Sequence, residues 1–110
     1  IMSSLWGTGQ MMFAKFIIVV DEDVNVMDAS EVMWRVFNNV DPKRDTMIVE
    51  GPLDVLDHSA PLALVGSKMG FDATRKLMAE GHPRQWPEDI VMSQDIITMV
   101  TEKWRDYGIE

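Results

Sequence analysis

Five consecutive apolar residues, 16–20, form the strongest hydrophobic run in the first half of the chain. A strand with one face in water alternates apolar and polar positions. An unbroken run therefore predicts a strand over 15–20 that is covered on both faces, as in a parallel sheet. The run stops at Asp21, Glu22 and Asp23, whose carboxylates are costly to bury unpaired. Asp28 then has the spacing of a helix cap. Its side chain can accept from the free N–H of residue 31, and Glu31 can reach back, a capping box of the D-x-x-E kind. The helix is predicted over 29–39. Val32, Met33, Val36, Phe37 and Val40 share one face, and Trp34, Arg35 and Asn38 lie off it. Asn39 and Pro42 end it, because proline disfavours helix in the residue before it. Residues 46–50, TMIVE, predict a second strand. A strand, crossover helix and strand of this length is expected to form a right-handed parallel βαβ unit.

The remaining pattern is weaker. Residues 3–14 predict a short helix, weakened by about 1 kcal/mol at each of Gly7 and Gly9. Residues 51–62 contain Gly51, Pro52 and Pro61 and read as a long loop, of the kind that carries function or an interface. Residues 62–65, LALV, predict a short third strand. Glycine and proline punctuate 66–92, which reads as loop with one helical turn at 72–78. A last helix is predicted from Ser93, with Asp95 favourable in its first turn. Ile96, Ile97, Val100 and Trp104 form its apolar stripe, and Gly108 suits its C-terminal cap. The expected fold is α/β, with a small, mainly parallel sheet and flanking helices. Few strands and much irregular chain suggest a part-domain, or one that completes its core against another copy.

Composition narrows the function classes. A length of 110 residues fits a single domain or part-domain. Ile1 is not an initiator residue, which fits a fragment of a longer protein. With 46% hydrophobic and 25% charged residues, the chain is expected to be globular. It has no apolar run near 18 residues, so no membrane span is predicted, and no secretory leader pattern. A net charge of −8 argues against a nucleic-acid surface, which relies on basic groups. The absence of cysteine excludes disulfides and thiolate metal sites and fits a cytoplasmic location. Ten methionines suit core gaps or an interface, since the thioether is apolar and flexible.

Candidate chemistry is sparse. Asp21, Glu22, Asp23 and Asp28 cluster after a strand, where open α/β sheets bind ligands, and oxygen-rich groups suit Mg²⁺ or Mn²⁺. The plainer reading is an acidic turn and a helix cap, so no metal ligand is assigned. Asp21 and Asp23, with Asp57 and Lys68, match a phosphorelay receiver only loosely, and five βα repeats do not fit. Residues 66–70, GSKMG, have the small residues and lysine of an anion-binding turn but lack P-loop spacing. A tight packing loop is the plainer reading there. His58 and His82 lack a third histidine. No nucleophile elbow, zincin or dinucleotide fingerprint is present, and Gly7-Thr8-Gly9 precedes its strand instead of following it. No residue is assigned as catalytic.

Three segments carry a resemblance. K-F-I-I-V-V-D-E-D-V-N-V at 15–26, with V-M-W at 32–34 and D-P-K-R-D at 41–45, is similar to the C-terminal region of UbiD-type decarboxylases. So are G-S-K-M-G-F-D-A-T-R-K at 66–76 and W-R-D-Y-G-I at 104–109, in family order. The resemblance implies a parent carboxy-lyase acting on aromatic or unsaturated acids, with polyprenyl-hydroxybenzoate quinone precursors as the leading class. It implies prenylated FMN and a divalent metal, Mn, in that parent, with the acid–base and metal residues outside this segment. It further implies that Lys15 contacts the flavin phosphate across a domain interface. The implied partners are the flavin-binding domain of the same chain and further copies in a homo-oligomer. On this reading the segment alone is inactive. A non-catalytic α/β interaction module on the same scaffold is the alternative.

Overall fold

The computed structural model describes residues 1–108. In chain order its elements are helix α1 (Met2–Trp6), a 3₁₀ turn at Gly9–Phe13, strand β1 (Phe16–Val19), helix α2 (Ala29–Asn39) and strand β2 (Thr46–Pro52). Strand β3 (Val65–Asp72), a 3₁₀ turn at Met78–Glu80, helix α3 (Gln94–Glu102) and a last 3₁₀ turn at Trp104–Tyr107 follow. The α/β class with a small sheet and flanking helices holds. The sheet order is β1-β3-β2. β1 runs parallel to β3, while β2 runs antiparallel to it. The sheet is thus mixed rather than mainly parallel. The expected parallel βαβ unit does not form, because β2 runs antiparallel to β1, with β3 between them.

The central strand is the segment that the sequence pattern reads as loop. Gly66, Lys68 and Gly70 alternate into the buried face of β3. Glycine there serves close approach. A Cβ at Gly66 would sit 2.7 Å from Leu53 Cδ1 and 3.2 Å from Ala60 Cβ, and one at Gly70 would meet Met2. Lys68 lies flat in the same row, its stem against Gly51, and its ammonium donates to the Met12 carbonyl at the end of the first 3₁₀ turn. Burial holds its pKa below the usual 10.5. Of the LALV segment, Val65 begins β3 and Leu62 forms an isolated bridge to it. No helical turn forms over 72–78; the turn is 3₁₀ and covers Met78–Glu80.

β1 corrects a second expectation. It is an edge strand with Ile17 buried but Phe16 and Ile18 exposed. The alternation is structural even though the sequence run is continuous, and one apolar face lies open. α2 spans the expected residues, and Asp28 accepts from the N–H groups of Ser30 and Glu31. Glu31 reaches back to the N–H of Asn25 instead of Asp28, whose N–H donates to the Asn25 carbonyl. The face that α2 buries also differs. Phe37 is 81% exposed, while Arg35 and Asn39 are the buried residues. Asn39 explains its burial by hydrogen bonding: its Nδ2 donates to the Ala73 carbonyl at 2.8 Å and its Oδ1 accepts from Asn38 at 2.9 Å. The N-terminal helix is shorter than expected because the chain turns at Gly7.

The buried apolar core is small: Ile17, Val24, Leu53 and Ala73. The chain exposes 8871 Å², whereas a compact monomer of 12.5 kDa would expose roughly 6,200 Å². Its radius of gyration is 19.3 Å, against roughly 13 Å for a compact domain of this length. α3 accounts for part of the difference. It begins after Ser93 as expected, but it buries no residue, and of its stripe only Val100 is half-buried. Gly108 does cap the following turn in the left-handed conformation, at φ 64°.

Candidate functional site

Two charged constellations flank β1. At its entrance stands Lys15, whose carbonyl accepts from the N–H of Met69 on β3 at 3.0 Å. The Lys15 ammonium lies 2.8 Å from Asp57 Oδ2 and 3.1 Å from Oδ1, and it also donates to Ser59 Oγ. Both partners come from the loop between β2 and β3. That loop is tied at its base by Leu53, whose N–H donates to the Leu64 carbonyl at 2.9 Å. Within it, Asp57 Oδ1 accepts from the N–H of Ser59 at 3.0 Å and from its hydroxyl at 2.7 Å. The hydrogen bond from Lys15, helped by Ser59, holds the Asp57 carboxyl at about 2, well below the ordinary 3.8.

A pH prediction follows from that shift. A carboxyl depressed in the folded state adds stability above its unfolded pKa and loses it as pH falls through the folded value. Folding should therefore weaken between pH about 4 and pH about 2, and Asp57→Asn should flatten that fall. Thermal unfolding across pH 2–6 measures it. An unchanged slope in the variant would mean that Asp57 does not pair with Lys15 in solution.

At the carboxyl end of β1 and β3, residues 72–76, DATRK, gather the second constellation. Asp72 Oδ1 accepts from the Thr74 N–H at 3.1 Å and from its hydroxyl at 2.6 Å, which fixes the turn after β3. Arg75 spans the acidic turn after β1: its Nε and backbone N–H reach Asp21 Oδ2 at 3.1 and 2.9 Å, and one terminal nitrogen reaches Asp23 at 2.8 Å. Lys76 is nearly buried, donating to the carbonyls of Asp72 and Thr74 at 3.0 and 2.7 Å. Asp45, also buried, faces Lys76 at 3.8 Å and takes both Nε and a terminal nitrogen of Arg44, at 2.8 and 2.7 Å. Burial pushes Asp45 up, but Arg44, the Asp41 N–H and Lys76 outweigh it and hold the carboxyl below 3.8. Open clefts of 350 to 530 Å³ lie over this end, and Thr74 and Glu80 line three of them.

The arrangement places the candidates from the sequence plainly. Asp21 and Asp23 neutralise Arg75, and Asp28 caps α2. No group of three or more His, Asp or Glu residues able to hold a metal occurs among the described residues. Residues 66–70 are strand, so no anion-binding turn exists there. Asp57 and Lys68 join no receiver-like acidic pocket among the described residues, one being tied to Lys15 and the other to the Met12 carbonyl. His82 packs edge-on against Trp86, with ring centroids 5.6 Å apart. The charged groups largely satisfy one another, which suits holding loops in place more than moving protons.

Sequence reasoning missed the partners Arg35, Arg75, Lys76, Asp45 and Asp89. Arg35 is buried, stacked 4.6 Å from the Trp34 ring, and joined in two parallel hydrogen bonds to Asp89 at 2.9 and 2.7 Å. Its Nε has no partner among the described residues. That pair anchors the irregular 82–92 segment to α2. The one available signal was D-A-T, an Asx-turn sequence that marks the end of a strand.

Comparison with known proteins agrees with this architecture. The family model of the 3-octaprenyl-4-hydroxybenzoate carboxy-lyase C-terminal domain matches residues 1–73. A protein of Aquifex aeolicus, itself described only as uncharacterised, is 47% identical over 97% of this chain. An uncharacterised protein of Aeropyrum pernix is 42% identical, also over 97%. This chain spans 22% of the length of each. The closed form of vanillic acid decarboxylase from Sedimentibacter hydroxybenzoicus superposes with a TM-score of 0.72 at 30% identity, covering 96% of this chain and 22% of that one. The UbiD-class enzyme HmfF from Pelotomaculum thermopropionicum, in complex with FMN, superposes at 0.62 with 34% identity, over 79% of this chain and 19% of that one. The family match over two-thirds of the chain, continued by these superpositions, establishes that the chain belongs to the UbiD carboxy-lyase family as its C-terminal domain.

Proposed function

We propose that the domain serves a UbiD-class carboxy-lyase that removes or adds CO₂ on aromatic or unsaturated carboxylic acids. Polyprenyl-hydroxybenzoate quinone precursors are the leading substrate class. The observation that carries this reading is the likeness to a vanillic acid decarboxylase over 96% of the chain. The domain's part is to pack on the flavin-binding domain of the same chain, close the active site and join copies into a cytoplasmic homo-oligomer. The excess exposed area and the open apolar face of β1 support such packing, since monomers seldom leave large apolar patches in water.

Flavin enters through the FMN complex of HmfF, and the family resemblance adds prenylation and a divalent metal, Mn. When bound, the flavin would supply an electron sink for carbon–carbon cleavage. Lys15 fits its phosphate. An ammonium has three N–H donors; Asp57 and Ser59 take two, and the side chain keeps 34% of its surface exposed. A compact point charge of this kind suits a phosphate. No residue of this domain is assigned to catalysis or to the metal.

In the full-length chain, Lys15→Ala should cost about 1.5–3 kcal/mol of cofactor binding, or roughly 10- to 150-fold in retention, with the domain still folded. Flavin content after desalting measures this. Unchanged content would return Lys15 to an ordinary strand-edge role and favour the interaction-module reading. The isolated domain should show no decarboxylation of a hydroxybenzoate panel even with added cofactor. Turnover above the blank would place acid–base residues here after all.

A further inference from the structure

The loop between β2 and β3 is built around Lys15. Asp57 and Ser59 lie 42 and 44 residues away in sequence, yet both reach the same ammonium. They are not independent contacts. The Ser59 hydroxyl and N–H both donate to Asp57 Oδ1, so one turn presents an acceptor pair as a unit. The turn is braced in its own right. Asp57 N–H donates to the Asp54 carbonyl at 3.0 Å, and Leu56 N–H donates to Asp54 Oδ1 at 2.8 Å. Its base is fixed through Leu53, the most deeply buried large apolar side chain. The Asp57 side chain is 16% exposed, against 34% for Lys15. The carboxylate is thus the more covered partner, and the lysine side chain keeps surface open to a further acceptor.

We propose that Asp57 and Ser59 are positioning residues for Lys15, fixing its flexible stem so that the remaining N–H is aimed at a phosphate monoester presented by the neighbouring domain. This role rests on Lys15 being the flavin-phosphate contact. A lysine stem is long and freely rotating, and ordering it on binding is a cost that preorganisation removes. The clip supplies that order before the phosphate arrives. The opposite sign is physically available: a carboxylate beside a phosphate could compete for the ammonium and weaken binding, and the experiment reads that sign directly.

The test uses the full-length chain as wild type, Lys15→Ala, Asp57→Asn and Ser59→Ala, stripped of flavin. Affinities for FMN and for riboflavin, which lacks the phosphate, are read by quenching of flavin fluorescence, with thermal midpoints alongside. Asp57→Asn and Ser59→Ala are each expected to weaken FMN about tenfold, with riboflavin unchanged. Lys15→Ala is expected to remove the preference for FMN more completely. If Lys15→Ala leaves the FMN-to-riboflavin ratio intact, the phosphate role of Lys15 fails, and its positioning by Asp57 and Ser59 with it. If Lys15→Ala lowers the ratio but Asp57→Asn and Ser59→Ala leave or raise it, only the positioning role falls. Equal weakening of both ligands would assign the turn to domain packing and overturn the proposal. Should Asp57→Asn not fold, Ser59→Ala, which removes one acceptor and keeps the carboxylate, separates the same outcomes.

Discussion

Leu53→Ala is expected to destabilise the domain by about 2–5 kcal/mol, a large share of a total stability of about 5–15 kcal/mol. Leu53 is 2% exposed and belongs to a core of four buried apolar residues. Its N–H closes the base of the loop between β2 and β3. Its Cδ1 fills the space beside Gly66, on the central strand. Removing it takes away burial and leaves a cavity that a three-stranded sheet can only partly collapse into. The neighbour supplies a check on the mechanism. Gly66→Ala alone should cost about 1–3 kcal/mol, because its methyl would press on Leu53. In the Leu53→Ala background the same methyl enters vacated space, so the double variant should be more stable than the two losses added together. Urea unfolding of the three variants measures this. A loss below about 1 kcal/mol for Leu53→Ala would show that the loop does not pack on the sheet.

Local chemistry made some elements legible and long-range pairing hid the rest. α2 could be read because its signals are near neighbours: Asp28 caps it, and its apolar spacing has one period. The start of α3 was readable for the same reason, and Gly108 was readable as a cap, although it closes the 3₁₀ turn after α3. β3 was not. Its buried positions are Gly66, Lys68 and Gly70, and glycine in a sequence reads as a turn. The reason for glycine there, room for Leu53, Ala60 and Met2, is supplied by residues distant in the chain. The identity of the central strand was lost with it, and so was the mixed sheet. The face of α2 was misread because burial of Arg35 and Asn39 is offset by Asp89 and Ala73, 54 and 34 residues away. The same holds for Arg75 on Asp21. The residue type of Lys15 was visible and its partners were not. Its expected role came from resemblance, and only the structure brought Asp57 and Ser59 to it.

The domain is expected to associate with itself through α3. Apolar surface is supplied in excess of what one chain buries. The exposed area exceeds that of a compact monomer of this mass by roughly 2,700 Å², more than the roughly 1,000–2,500 Å² per partner of many obligate interfaces, so a contact with the flavin-binding domain and a self-contact can share it. Much of the segment 90–108 is apolar and open, and Ile96, Ile97, Met99, Trp104 and Tyr107 are each 41–48% exposed. Alone, a helix of nine residues is too short to be stable in water, so its amphipathic face needs a surface. Aromatic residues and methionine are enriched at interface cores, and a two-fold dimer is the commonest closed assembly. Trp104 is the natural anchor, and its truncation should cost about 2 kcal/mol or more of association, roughly a thirtyfold rise in dissociation constant. Light scattering across a dilution series of wild type and Trp104→Ala reads both states. The wild type should pass from dimer to monomer on dilution, and the variant should do so at a much higher concentration. A wild type that stays monodisperse and monomeric at high concentration would show that the stripe folds back on its own chain. Equal dissociation of the two proteins would move the interface to the open face of β1, where Phe16 and Ile18 lie exposed.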